Sequence, residues 1–230
     1  MQTYTNINMK KLVVTVITRY FISLLIIGCV FFIPAGTIYY WNGWILIGAF
    51  FLPMIFVFFY LITKDPELLE KRMRMKENQK EQKSVQKIFS IIMLIEFIIP
   101  GLDFRFQWSY VPMWLVIVST FLVVLGYFLV FNVMKQNSYA SRVIEVQDKQ
   151  KIIDTGFYSV VRHPMYSFML IIFIFTPLVL GSYYALIPAL TFPFTLAYRI
   201  KNEEDVLRQG LDGYIDYTNR VKYRLIPFVW

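Results

Sequence analysis

The chain has 230 residues, is 57% hydrophobic and 19% aromatic, and carries a formal net charge of +8. Only 17% of its residues are charged, against about 25% in soluble domains, and several apolar runs approach the roughly 20 residues a helix needs to cross a bilayer, which excludes an ordinary soluble domain. The runs do not alternate as the strands of a transmembrane β-barrel would, and one cysteine (Cys29) with one histidine (His163) rules out an intramolecular disulfide and argues against a structural zinc site.

The expected fold class is all-α, a polytopic integral membrane protein with five or six transmembrane helices. Lys10 and Lys11 precede the first apolar run as in a signal peptide, but the run continues to about Ile33 without a small-x-small cleavage pattern, so it reads as a retained helix over Leu12–Ile33, ending near Pro34 and Gly36. A second helix is expected over Trp44–Ile62, with Trp41 and Trp44 at the lipid–water boundary. The polar stretch Thr63–Lys87 interleaves both charge signs and predicts a solvated or interfacial helix starting at Asp65-Pro66-Glu67, with acid in its first turn and proline near its first position. A short run, Ile88–Ile99, contains Glu96. A loop over Gly101–Val111 is expected to lead into a longer helix, Pro112–Met134. After a second polar stretch, Lys135–Arg162, come two short runs, Met165–Leu180 and Tyr183–Tyr198, parted by Gly181-Ser182, and an amphipathic tail, Arg199–Trp230.

With six segments, the N-terminus, both long polar stretches and the tail share one side of the membrane. Every Lys and Arg except Arg105 falls on that side, which the positive-inside bias assigns to the cytoplasm. The basic charge therefore reads as topology and attraction to anionic lipid, and no nucleic acid partner is expected. Residues 1–134 read as an N-terminal helical part and 135–230 as the part that carries chemistry.

No Gly-x-Gly-x-x-Gly fingerprint, Walker A pattern or Ser/His/Asp order is present. What stands out is Gly156–Tyr166, which holds the single histidine at the start of an apolar run. Pro164 fits the first helical position, where its missing N–H costs nothing. His163 then lies beside unpaired backbone N–H groups and the positive end of the helix dipole, a place that holds an anion such as a carboxylate, or where a histidine simply caps a helix. Arg199 and Glu203, at i and i+4, share one helical face. They read either as an intrahelical ion pair or as an arginine that grips a carboxylate or phosphate with a glutamate that accepts from an amine or ribose. Tyr158, Tyr166 and Tyr198 flank the region, as cation-stabilising faces or as interfacial anchors. Glu96 and Asp103 are further candidates, since an acid within the membrane suggests function, with a simple pairing to a neighbouring helix as the other reading of Glu96.

These residues form a familiar combination. Arg162-His163-Pro164-x-Tyr166, followed after a helical hairpin by Glu203-Glu204, resembles the signature of the isoprenylcysteine carboxyl methyltransferase and phospholipid methyltransferase superfamily, in its bacterial branch. Asp154-Thr155-Gly156-Phe157-Tyr158, Pro177–Ser182, Asp212-Gly213-Tyr214-x-x-Tyr217 and Tyr223–Pro227 resemble the family's approach to the motif, hairpin turn and tail. Upstream, Asp65–Arg72 and Gly101–Ser109 resemble the same branch, so that the likeness covers about residues 64–230. The resemblance implies a membrane enzyme of the bacterial inner membrane that uses S-adenosylmethionine without a Rossmann domain. The cofactor enters from the cytosol and a lipophilic or lipidated substrate from the bilayer. Matched residue by residue, it implies a cofactor site at Gln150, Lys151, Ile152, Ile153, Tyr158, His163, Pro164, Met165, Tyr166 and Glu203, and Arg199 as the catalytic, substrate-binding arginine that addresses a carboxylate.

Two positions depart from the pattern: Phe168 stands where the family usually has glycine, which puts the pocket's shape in question, and Phe157 replaces a proline, which is expected to loosen the turn before Tyr158. Methyl transfer by in-line displacement on a sulfonium would come mostly from positioning and water exclusion. Carboxyl O-methylation of an isoprenoid or prenylcysteine-like acid is the leading expectation, since a carboxylate needs no general base. N-methylation of a phospholipid ethanolamine is the alternative, with Glu203, Glu204 or a bound lipid group as base. From other classes, an NADPH-dependent membrane reductase of sterol-reductase type and a non-enzymatic membrane protein remain; the second would not require Tyr158, His163, Arg199 and Glu203 to converge.

Overall fold

The computed structural model describes residues 8–73, 80–140, 144, 146, 147 and 150–230, with the main chain only at 80–82. Part of the expected interfacial stretch (74–79) and part of the second polar stretch (141–143, 145, 148, 149) lie outside the described residues. The described chain is helical, without strands: α1 (Met9–Ala35), α2 (Trp41–Lys64), α3 (Pro66–Met73), α4 (Lys80–Phe106), α5 (Met113–Gln136), a 3-10 turn (Gly156–Ser159), α6 (Pro164–Val179), α7 (Leu186–Ala189), α8 (Phe192–Gly210) and α9 (Tyr214–Arg220).

Local chemistry sets most of the boundaries. Asn8 caps α1 by accepting from the Lys11 N–H at 3.0 Å. Asp65 closes α2 and opens α3, accepting from the Leu68 N–H at 3.0 Å with Pro66 at the first helical position, where the sequence places that start.

Among the described residues, four helices are long and apolar enough to cross a membrane: Met9–Ala35, Trp41–Lys64, Lys83–Phe106 and Met113–Gln136. This is fewer than the five or six expected, and the differences have physical causes. The third segment is not short. α4 runs unbroken through Pro100-Gly101, where the sequence predicts a loop, because Gly101 faces α1 so closely that a Cβ there would stand 2.9 Å from the Phe31 carbonyl. A proline–glycine pair is tolerated within a helix that packs against neighbours in lipid. The run Tyr183–Tyr198 is not one helix. Pro188 and Pro193 divide it into the four-residue α7 and the start of α8, which continues to Gly210. α6 has 16 residues, about 24 Å at 1.5 Å per residue, short of a ~30 Å hydrocarbon core.

α1 packs chiefly on α4, and α5 on α6. The α5–α6 contact is close because Gly126 leaves room: a Cβ there would meet Ile172 Cγ1 at 2.9 Å and the Phe168 carbonyl at 3.3 Å. At one end of the bundle Leu12, Leu61, Leu68, Leu69 and Met134 gather the starts of α1 and α3 with the ends of α2 and α5. At the other end, Asp103 of α4 clasps the turn after α6. Its carboxylate accepts from the Ser109 N–H at 2.7 Å, the Ser109 hydroxyl at 2.6 Å and the buried Ser182 hydroxyl. Tyr40 and Asn42 hold the same turn by donating to the carbonyls of Leu180 and Val179. Hydrogen bonds to a charged group contribute about 1.5–3 kcal/mol each. Asp103→Ala is therefore expected to destabilise the protein by about 2–3 kcal/mol, seen as a lower midpoint of thermal unfolding in detergent. An unchanged midpoint would show that the clasp contributes nothing.

Candidate functional site

α6 starts as its sequence dictates, with His163 as N-cap and Pro164 at the first helical position. The side chain of His163 makes no capping bond, however. It points toward α8, with Nε2 3.4 Å from Oε1 of Glu204 and Nδ1 3.9 Å from Oε1 of Glu203. The main chain of the motif is tied to the tail: the N–H groups of Arg162 and His163 donate to the carbonyls of Tyr223 and Arg224, each at 2.9 Å, and the Ser167 hydroxyl donates to the Leu225 carbonyl.

Arg162 and Glu204 form the buried centre of this junction. Arg162 donates from Nε to Glu204 at 2.7 Å and from Nη1 to the carbonyls of Val221 and Lys222 at 2.7 and 2.9 Å. The other oxygen of Glu204 accepts from Arg224 Nε at 2.9 Å. Burial alone would raise the pKa of Glu204, but the donors of His163, Arg162 and Arg224 prevail and hold the carboxyl well below the usual carboxylate range. A carboxylate so engaged is a poor proton acceptor, which leaves Glu203 as the glutamate of the pair that faces the cleft. Two neighbours on a helix point about 100° apart, so Glu204 turns inward and Glu203 to the cleft.

That cleft lies among the end of α5, the start of α6, the 3-10 turn, α8 and α9, with a volume of about 900 Å³ including its solvent-open mouth. Gln150, Lys151, Ile152 and Ile153 form one wall. Tyr158, His163, Met165, Tyr166, Arg199 and Glu203 face them, so that all the sequence-selected site residues except Pro164 line one space. Pro164 is buried at the helix start, outside the lining. The Tyr166 hydroxyl links the α8 pair: it donates to Glu203 Oε2 at 2.7 Å and accepts from Arg199 Nε at 2.8 Å. The guanidinium lies 5.9 Å from the centre of the Tyr166 ring, and the His163 ring is stacked on that ring at 5.8 Å. Tyr158 is fixed at both ends: its hydroxyl accepts from Asn137 at 2.9 Å and its carbonyl from the Tyr217 hydroxyl at 2.7 Å. Burial pushes its phenol up to about 12, the Asn137 hydrogen bond opposing, so it stays a neutral aromatic face.

Tyr198 is 52% exposed and outside the lining, as an interfacial anchor would be. Asp103 belongs to the clasp at the far end. Glu96 is fully buried in α4, with neither oxygen hydrogen-bonded among the described residues, and is also outside the cleft. The two departures from the family pattern meet each other: the rings of Phe157 and Phe168 pack edge to face at 5.2 Å, away from the lining. The turn before Tyr158 is held in place of the missing proline by Gly156, at φ +60°, where a Cβ would stand 2.6 Å from Gln136 Oε1, and by Gln136 accepting from the Phe157 N–H at 3.2 Å.

Several lining residues escaped the sequence reading. Leu207 and Leu211 continue the four-residue stripe of Arg199 and Glu203 along α8, and that spacing could have found them. Asn137, Tyr139, Ala140 and Ile144 lie in a polar stretch without local periodicity. Arg162, Tyr214 and Tyr217 were noted only as parts of motifs.

Among the described residues, no group of three or more His, Cys, Asp or Glu is placed to hold a metal ion. No curated protein matches the chain. Residues 114–211 match the family model described as phospholipid methyltransferase. The matched span runs from the start of α5 to the end of α8 and includes the Arg162–Tyr166 motif, Arg199 and both glutamates. Through residues 114–211, under half of its length, this membrane-helix protein is similar to the phospholipid methyltransferase family.

Proposed function

We propose that the protein transfers a methyl group from S-adenosylmethionine to a lipophilic acceptor at the membrane surface, by carboxyl O-methylation of an isoprenoid or prenylcysteine-like acid. The observation that carries this reading is the linked set Arg199–Tyr166–Glu203 in a single cleft. It sets a guanidinium, suited to a carboxylate, beside a carboxylate suited to a cation or a ribose hydroxyl. The cleft offers residues that suit the cofactor's chemical parts: Glu203 for a polar or cationic group, the faces of Tyr158 and Tyr166 for a sulfonium, and Ile152, Leu207 and Leu211 for an apolar ring. When bound, the cofactor supplies a sulfonium-activated methyl group and leaves as a neutral thioether.

The chain's own contribution is orientation. Arg199 holds the acceptor carboxylate, which is ionised at neutral pH and needs no base. Tyr166 fixes the guanidinium, and the aromatic walls exclude water. The amine alternative is supported by the matching family's description, phospholipid methyltransferase, and by Glu203 as the cleft glutamate placed to serve as base. The cleft opens at the basic-rich end of the bundle, and the positive-inside bias favours a cytoplasmic mouth in a bacterial inner membrane.

His163→Ala and Glu203→Ala should each weaken S-adenosylhomocysteine binding by about tenfold, the loss of one hydrogen bond to a charged group, measured by calorimetry on protein in detergent. Unchanged affinity in both would remove them from the site. Incubation of membranes with methyl-labelled cofactor then names the acceptor: label in a base-labile ester supports carboxyl transfer, and label in a stable amine headgroup supports the alternative.

A further inference from the structure

Tyr214 opens α9 behind Gly213, which sits at φ +78° with its Cα against Ile152, so that even a Cβ would stand 3.2 Å from Ile152 Cδ1. That turn fixes the Tyr214 ring in the cleft wall, 4% exposed, packed with Tyr217, Ile152, Leu207 and Leu211. Its hydroxyl is buried and has no hydrogen-bond partner among the described residues. Tyr217 beside it differs: its hydroxyl donates to the Tyr158 carbonyl at 2.7 Å. A buried hydroxyl left unbonded is unfavourable, and native proteins rarely retain one without a reason.

The surroundings say what that reason is. The wall beside the hydroxyl is formed by Ile152, Leu207, Leu211 and the rings of Tyr214 and Tyr217, with the charged groups of Arg162, Glu203 and Glu204 also close enough to act on the Tyr214 phenol. An aliphatic and aromatic wall with one unbonded hydroxyl suits a purine nucleoside, which offers ring nitrogens and ribose oxygens as partners. We propose that Tyr214 binds the nucleoside half of the methyl donor, its hydroxyl bonding the base or ribose against the wall of Ile152, Leu207 and Leu211. This rests on the methyl-donor reading above and adds a binding residue beyond the matched span 114–211.

The test uses the full chain in detergent, with S-adenosylhomocysteine and 5′-methylthioadenosine as probes; the second keeps the nucleoside and lacks the amino-acid end. Tyr214→Phe should bind both about tenfold more weakly, a factor expected for one buried hydrogen bond. Its ligand-free thermal midpoint should equal or exceed that of the wild type, because the hydroxyl serves no protein partner. Tyr217→Phe should lower the ligand-free midpoint. Unchanged affinities for Tyr214→Phe overturn the proposal, as does a ligand-free midpoint that falls as far as in Tyr217→Phe. A loss confined to S-adenosylhomocysteine, or a wild type that holds it but not methylthioadenosine, moves the contact off the nucleoside and also overturns the proposal. A wild type that binds neither probe fails the methyl-donor reading itself, and that result is visible before any variant is made.

Discussion

Glu204→Ala should cost about 3–5 kcal/mol, the usual penalty for removing one partner of a buried ion pair, and should release the tail from the cleft. The carboxylate is 2% exposed and receives Arg162 at 2.7 Å and Arg224 at 2.9 Å, with His163 at 3.4 Å. Without it, the Arg162 guanidinium stays buried with only the carbonyls of Val221 and Lys222 as acceptors. The readout is a large drop in thermal midpoint with faster proteolysis after residue 204; a midpoint equal to that of the wild type would sink the prediction. The pH dependence has a definite sign. A carboxyl whose folded pKa is depressed binds fewer protons folded than unfolded, so its contribution is complete above the unfolded value near ~4.3 and fades as pH falls toward the folded one. Glu204→Gln lacks that titration. The stability gap between wild type and Glu204→Gln should therefore narrow as the solution is acidified below about pH 4.

Arg199→Ala is expected to lower kcat/KM for a carboxylate acceptor by about 10²–10³, since truncating one side of a desolvated charge pair costs about 2–5 kcal/mol and each ~1.4 kcal/mol is tenfold. S-adenosylhomocysteine affinity should change little. Arg199 takes hold of Tyr166 through Nε and lies over the same ring, so Arg199→Lys, which keeps charge but loses the planar fork, should recover only part of the activity. Equal losses in transfer and in cofactor affinity would contradict the division of labour between Arg199 and Glu203. Retained transfer in Arg199→Ala would favour an amine acceptor.

The legible parts of the molecule were those set by local rules. Pro164 at the head of an apolar run fits the first turn of a helix, which places His163 as its cap. Arg199 and Glu203 had to share a face because they are four residues apart. The hidden parts depend on partners distant in sequence. Nothing near Pro100-Gly101 announces that α1 lies against it and lets α4 continue. Nothing in Glu203-Glu204 tells which carboxylate turns toward Arg162, because the deciding residues are 41 and 42 positions upstream. Nothing at Phe157 or Phe168 shows that the two unusual side chains answer each other.

The tie between residues 162–163 and 221–225 also has a consequence for biosynthesis. A ribosome delivers α5 and α6 well before it delivers Val221 and Lys222, which accept from Arg162, or Tyr223 and Arg224, which accept from the motif's N–H groups. Until those residues emerge, the Arg162 guanidinium has no reason to leave water, and the cleft lacks the wall that α9 supplies. The long apolar helices α1, α2, α4 and α5 are therefore made before the tail that completes the cleft.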